Sequence, residues 1–226
     1  MRRGLARRSV RGGGLVDSAR QRHEPAARAA VAPEVRARMT TMADRLLDAM
    51  ARSAARRYSG EAVSELEHAL QCADLARQGG ADEELQLACL LHDVGRYAVD
   101  QALVSDTTET TRVGPGARGH QEVGAELIAP WVPERVSWSV RVHADAKRYL
   151  CAIEPEYFDR LSAVSRDTLR RQGGVMSPDD VAKFAEHPWV RDAVALRRWD
   201  DEAKVVRKQT RSLEEWSPLI RSWFDR

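Results

Sequence analysis

From Met42 onward the apolar residues recur at three- and four-residue spacing, and no stretch alternates with period two. That pattern confines the chain to helices packed on helices. Leu46, Leu47 and Met50 open a first amphipathic stretch. A second runs from about Glu61 to Arg77, with Val63, Leu66, Leu70 and Ala73 at helical spacing and Gly79-Gly80 as its stop. Asp82 is a good N-cap for a third, Glu83 to about Val94, with Leu87, Leu90 and Leu91 on its apolar side. Pro130 ends a helix over 120–129, and Pro133 sits at the first turn of the next, which runs to about Ala152. Further helices fit 155–171, 178–186, 189–206 and 213–224, with Ser177 and Ser212 as starts. The polar stretch 100–118, containing Gly114-Pro115-Gly116, reads as a long loop, either a lid or an insertion. The expected fold is all-α, without internal repeats.

Composition adds one division. The net charge of +2 averages two unlike segments. Residues 1–38 hold ten arginines against Asp17, Glu24 and Glu34, a net of +7, so the remainder carries −5. The first segment has Gly12-Gly13-Gly14, no aromatic residue and no apolar stripe. It cannot offset its ordering entropy by burial and is expected to be disordered. An Arg-rich tail suits a polyanion, and a targeting peptide is a second reading, although the apolar core of a secretory signal is missing. Met39 and Met42 stand directly before the first periodic segment, so residues 1–41 are read as a non-structural extension, an over-long start, and 42–226 as a single helical domain. That domain is mildly acidic, which argues against nucleic acid as a partner. No apolar run approaches the roughly 18 residues of a membrane span, and a cytoplasmic location is expected. Cys72, Cys89 and Cys151 are widely spaced, with no paired-cysteine motif, so neither a disulfide framework nor a cysteine zinc site is indicated. Oligomeric state is not readable from these features.

The chemistry sits in the histidines. His68, His92, His120 and His143 each fall on a different predicted helix, and Asp93 directly follows His92. An imidazole and a carboxylate at the end of an apolar helix need a charge or an ion nearby. Any one of these histidines alone reads equally well as a core residue with a satisfied hydrogen bond. Four on four helices, with carboxylates, is how helical bundles build dinuclear metal sites. A carboxylate has two oxygens and can bridge two metals. Val136, Val140, His143 and Lys147 share one helix face, which delivers an ammonium a turn beyond a candidate ligand. Ala193, Arg197, Asp200 and Lys204 share another, with a guanidinium and an ammonium flanking a carboxylate. Cations so gathered suit an anionic substrate; ordinary ion pairing on a solvated face is the competing explanation.

With these residues the chain resembles the HD-domain superfamily, and more narrowly its mixed-valent diiron oxygenases: myo-inositol oxygenase and the enzymes that oxidatively cleave organophosphonates. The resemblance is carried by Tyr58-Ser-Gly-Glu61, Ser64-Glu-Leu-Glu-His68, Leu91-His92-Asp93-Val-Gly95, Gly119-His120-Gln-Glu-Val-Gly124, Val142-His143-Ala-Asp-Ala-Lys147, Gln172-Gly-Gly174 and Arg197-Arg-Trp-Asp200-Asp-Glu-Ala-Lys204. It covers about 58–204. It implies an HD-domain helical bundle around a dinuclear centre, with one iron on His68, His92 and Asp200, a second on His120 and His143, and Asp93 bridging. Asp201 is the fallback for Asp200. Tyr58 and Glu61 match the family's gate over the open metal position, and Lys147, Ser165, Thr168 and Arg197 match positions that hold phosphonate oxygens. Where the family often has a second histidine shortly after the His-Asp pair, this chain has Arg96, a fixed cation that favours a further anionic group on the substrate. The polar loop before His120 is longer than usual for the family.

The activity so implied is an O2-dependent dioxygenase with a mixed-valent Fe(II)/Fe(III) pair. It would cleave the C–P bond of a 1-hydroxyalkylphosphonate to inorganic phosphate and a carboxylic acid. The rival is a metal-dependent phosphohydrolase of the wider superfamily, in which Mn, Mg, Co or Zn activates a water for attack at phosphorus. A ligand-sensing scaffold is the non-enzymatic alternative; loss of a ligand candidate would favour it, and none of the six is missing.

Overall fold

The structure is a computed structural model, and it describes residues 41–98, 103 and 119–225. The expected extension 1–41 and the expected loop 100–118 lie outside the described residues, save Thr41 and Leu103.

Ten α-helices make up the described part, with no strand among them. They are α1 (Met42–Ser53), α2 (Glu65–Gln78), α3 (Glu83–Leu91), α4 (His120–Ile128), α5 (Glu134–Ile153), α6 (Pro155–Arg160), α7 (Ala163–Arg171), α8 (Pro178–Ala185), α9 (Val190–Glu202) and α10 (Leu213–Phe224). A single 3₁₀ turn, Val94–Arg96, follows α3. The all-α expectation holds, and so do the helix starts at Asp82, Ser177 and Ser212, whose side chains accept from backbone N–H groups three residues on.

The 20-residue α5 is the central post, packed against α3, α4 and α9. Val136, Val140, His143 and Lys147 on its one face are all buried. Helices α2 and α3 pair beside it, and α1 and α10 close the far side of the main apolar core with Leu46, Met50, Trp216, Ile220 and Phe224. A separate small cluster of Leu150, Cys151, Tyr157, Leu161 and Leu169 ties α5 to α6 and α7.

Three boundaries differ from expectation, each for a local reason. The second helix starts at Glu65 rather than near Glu61. Ser64 and Glu67 form a reciprocal capping box, and Ser59 (φ 42°) and Gly60 (φ 85°) are left-handed, so Tyr58–Glu61 is a turn, not a helical segment. The expected helix 155–171 is two helices: Leu161 and Ser162 are extended, and Ser162 caps α7 by accepting from the Ser165 N–H. The helix expected to reach 206 stops at Glu202, so Lys204 does not lie on the α9 face with Asp200.

Candidate metal centre

Six side chains from five places in the chain converge. His68 comes from the middle of α2, His92 is the residue that ends α3, and Asp93 begins the 3₁₀ turn. His120 is the first residue of α4, His143 lies on α5, and Asp200 is in the last turn of α9. The 3₁₀ turn and α4 touch backbone to backbone at Gly95 and Gly124. A Cβ on Gly95 would stand 2.0 Å from the His120 carbonyl oxygen and 2.6 Å from the Gly124 nitrogen. This contact between two segments fixes where His120 sits relative to Asp93. Gly95→Ala is therefore expected to cost about 3 kcal/mol and to loosen His120. Thermal melting and metal content measure it, and an alanine variant that melts and binds metal like the wild type would refute the account.

The ligand atoms form two triads, His68/His92/Asp200 and Asp93/His120/His143, each with its atoms within 4.8 Å of one another. Asp93 lies between them. Its Oδ1 is 2.9 Å from His120 Nε2 and 3.8 Å from His143 Nε2, while its Oδ2 is 3.3 Å from His92 Nε2 and 3.8 Å from His68 Nε2. Asp200 Oδ1 is 3.3 Å from His68 Nε2. Asp201, the alternative carboxylate, pairs instead with Arg197 and the Tyr157 hydroxyl.

These residues fit metal ions on hydrogen-bond grounds. The Nδ1 atoms of His68, His92 and His143 lie 2.8, 2.8 and 2.7 Å from the carbonyl oxygens of Ala203, Cys89 and Val140. A carbonyl only accepts, so each Nδ1 carries a proton, which leaves Nε2 as the atom each ring can offer to a metal ion. His68 Nε2 and His92 Nε2 then face each other at 3.1 Å, and His120 Nε2 and His143 Nε2 at 3.2 Å. A metal ion beside each pair would take up both nitrogens. Asp93 Oδ2 is buried without a hydrogen-bond donor, which calls for the same thing. Imidazole and carboxylate donors without sulfur suit iron, manganese or zinc, and three or four protein ligands per ion would leave coordination positions open.

The early end of α9 belongs to this geometry, because it frees the Ala203 carbonyl for His68. Burial pushes the Asp93 carboxyl up, but the facing His92 and His120 outweigh it and hold it well below the usual range. Burial likewise opposes charge on Asp200, and Arg197, donating from Nη1 at 2.7 Å, holds it low. Burial takes His143 down to about 3, so its ring stays neutral. Tyr58 is pushed far up by burial and then by the charges of Asp200 and Asp93, so it remains a phenol.

Beside the triads lies a narrow cavity of about 40 Å³. Lys147, Arg197 and Lys204 line one side with Ser165 and Thr168. Lys147 Nζ donates to Thr168 Oγ1 at 2.8 Å and Lys204 Nζ to Ser165 Oγ at 3.2 Å. Ser165 and Thr168 face the same way from α7, as their spacing predicts. Tyr58, Glu61 and Arg96 line the cavity as well. The Tyr58 ring stacks on His68, centroids 3.8 Å apart, and its hydroxyl reaches Asp200 at 3.5 Å. Glu61 accepts from the Ser162 hydroxyl at 2.9 Å. Arg96 lies over the Tyr58 ring and donates to Ser59 Oγ at 2.5 Å and to the buried Glu65 at 3.2 Å. Its charge is thus shared with Glu65, which also takes Arg56.

Sequence reasoning assigned no part to Gln172, Glu65 or Tyr157. Gln172 lines the cavity, and its Oε1 is buried without a partner. The signal for it was the Gln172-Gly173-Gly174 run, whose glycines take φ of 98° and 75° and end α7 at the cavity wall. Nothing local marks Glu65 or Tyr157.

An all-helical domain that brings together two His/Asp triads, each able to hold a metal ion, has the architecture of an HD-type metal protein. Residues 66–185 match the family described as HD domain. The chain is 38% identical over 170 residues, 75% of its length and 83% of the relative's, to a (1-hydroxy-2-(trimethylamino)ethyl)phosphonate dioxygenase (glycine-betaine-forming) of Leisingera caerulea. It is also 38% identical over 168 residues, 74% of its length and 81% of the relative's, to a hydroxymethylphosphonate dioxygenase of Gimesia maris. The chain belongs to the HD-domain family and, within it, to the oxygenases. Among the described residues no helix is long and apolar enough to cross a membrane.

Proposed function

We propose that this protein is an O2-dependent diiron dioxygenase that converts a 1-hydroxyalkylphosphonate into inorganic phosphate and a carboxylic acid. The observation that carries this reading is the adjacency of the two triads to a cavity walled by Lys147, Arg197 and Lys204 with the Ser165 and Thr168 hydroxyls. In it, His68, His92 and Asp200 hold one iron, His120 and His143 hold the other, and Asp93 bridges. Mixed-valent Fe(II)/Fe(III) ions held there would supply redox chemistry and open positions for a chelating hydroxyl and O2.

The protein's own part is binding, orientation and charge. The three cations and two hydroxyls grip the phosphonate oxygens, which fixes the hydroxyl-bearing carbon over the triads. Each product gains one oxygen atom, so the cleavage consumes one O2 per substrate. As the C–P bond breaks, charge grows on the departing phosphate, and Lys147 and Arg197 are already placed against it. Gln172 joins this grip through its unpartnered amide oxygen, which accepts a hydrogen bond from an O–H of the substrate. The Tyr58–Glu61 turn covers the His68 side as a gate; lying outside the helices, it can swing away without unpacking the core.

The test is to load the protein with iron anaerobically, measure the metal content and the EPR signal of a coupled Fe(II)/Fe(III) pair, and supply hydroxymethylphosphonate with and without O2. Two irons per chain and phosphate release only with O2 are expected. Release that continues unabated without O2 would overturn the oxygenase reading in favour of hydrolysis.

A further inference from the structure

We propose that Tyr157 and Asp201 are positioning residues that lock the Arg197 guanidinium in the orientation that binds the phosphonate; this rests on the function proposed above. Arg197 is buried at the cavity wall, yet most of its hydrogen bonding points away from the cavity. Nε donates to the Tyr157 hydroxyl at 3.2 Å and to Asp201 Oδ2 at 3.1 Å. Nη2 donates to Asp201 Oδ1 and Nη1 to Asp200 Oδ2. A guanidinium has five N–H groups, and these bonds occupy one each on Nε, Nη1 and Nη2. One N–H remains on each terminal nitrogen, a pair suited to two phosphonate oxygens.

The far side of the brace is anchored in turn. The Tyr157 hydroxyl donates to Asp201 Oδ2, and its buried ring packs with Leu150, Cys151, Leu161 and Leu169. Asp201 also lies 3.7 Å from Lys204 Nζ, so one carboxylate organises two of the three cations. A fixed guanidinium loses less orientational freedom on binding than a free one.

Two opposed effects can be separated. Asp201 is an anion near an anion site, so through its field alone its removal would tighten phosphonate binding. Through the brace, its removal weakens binding. Tyr157→Phe keeps the ring and changes no charge, so it reports the brace alone.

The experiment uses the full-length iron-loaded protein. It measures metal content, the Kd of methylphosphonate, which lacks the hydroxyl and needs no turnover, and KM and kcat with hydroxymethylphosphonate. Tyr157→Phe is expected to raise Kd and KM about fivefold, and Asp201→Asn about tenfold. Both variants should keep two irons. In an Arg197→Ala background Tyr157→Phe should have no further effect, because its role runs through Arg197. Unchanged or tighter binding in either variant, loss of iron, or an undiminished effect without Arg197 would each overturn the brace. Wild-type protein that neither binds methylphosphonate nor turns over the substrate would instead overturn the phosphonate reading, and the brace with it.

Discussion

Replacing Asp93 with alanine is expected to strip both metal ions from the protein together and to abolish turnover. Asp93 presents one oxygen to each triad, Oδ1 2.9 Å from His120 Nε2 and Oδ2 3.3 Å from His92 Nε2. Without it the second triad is reduced to two histidines, and the first loses the anion that balances its charge. Removal of a mere outer partner of a metal ligand costs roughly 10–100-fold in metal affinity, and loss of a shared inner ligand must cost more. His68→Ala is the control, because it removes a ligand from one triad and leaves Asp93, His120 and His143 in place. Elemental analysis should therefore read near zero metal for Asp93→Ala and about half the wild-type content for His68→Ala. Retention of two ions by Asp93→Ala would show that the carboxylate does not bridge. Equal loss in both variants would show that the two sites fill only together.

Those ligand candidates are legible in the sequence because each lies on a strongly periodic element. His68 lies on the face of α2 opposite the Leu66-Leu70-Ala73 stripe, found by residue type and not by that stripe. The His92-Asp93 pair sits where an apolar helix ends, and His143 stands in step with the apolar stripe of α5. Lys147 follows by the same logic, one turn beyond His143. What periodicity does not carry is how helices end. The run 189–206 has no glycine or proline to announce a stop, so the unwinding at Ala203 that frees a carbonyl for His68 Nδ1 is dictated by the site, not by local propensity. The break at Leu161–Ser162 was hidden for the opposite reason: Ser162 is a good N-cap, but one serine in a polar stretch is too common a signal to divide a helix. The start of α2 falls at Glu65 and not near Glu61, although Ser64 and Glu67 have the spacing of a capping box that marks it. The Glu65 link to Arg96 and Arg56 and the Tyr157–Asp201 brace join residues far apart in the chain, and no local spacing encodes such contacts.

Replacing Lys147 with methionine is expected to lower kcat/KM for the phosphonate on the order of a hundredfold, the size of effect seen when one partner of a buried charge pair is truncated. The ammonium is buried and donates to the neutral Thr168 hydroxyl. Burial, then the nearby Arg197, take its pKa down to about 8. A cation so placed is costly until an anion arrives, and the arriving phosphonate restores its charge. Two pH dependences of opposite sign follow. In the free enzyme Lys147 is charged below about 8, so kcat/KM should fall as pH rises through that value. Stability should move the other way. The folded-state pKa lies below the unfolded value, so between about 8 and about 10.4 the unfolded chain holds more protons, and stability contributed by this group rises with pH across that window. Methionine keeps the aliphatic stem but cannot titrate, so Lys147→Met should lose this component of both profiles while keeping its metal. Rate profiles from pH 6 to 10 and urea titrations at pH 7 and 9.5 measure them. A variant that loses metal, or that keeps the fall in kcat/KM near pH 8, would place the titrating group elsewhere.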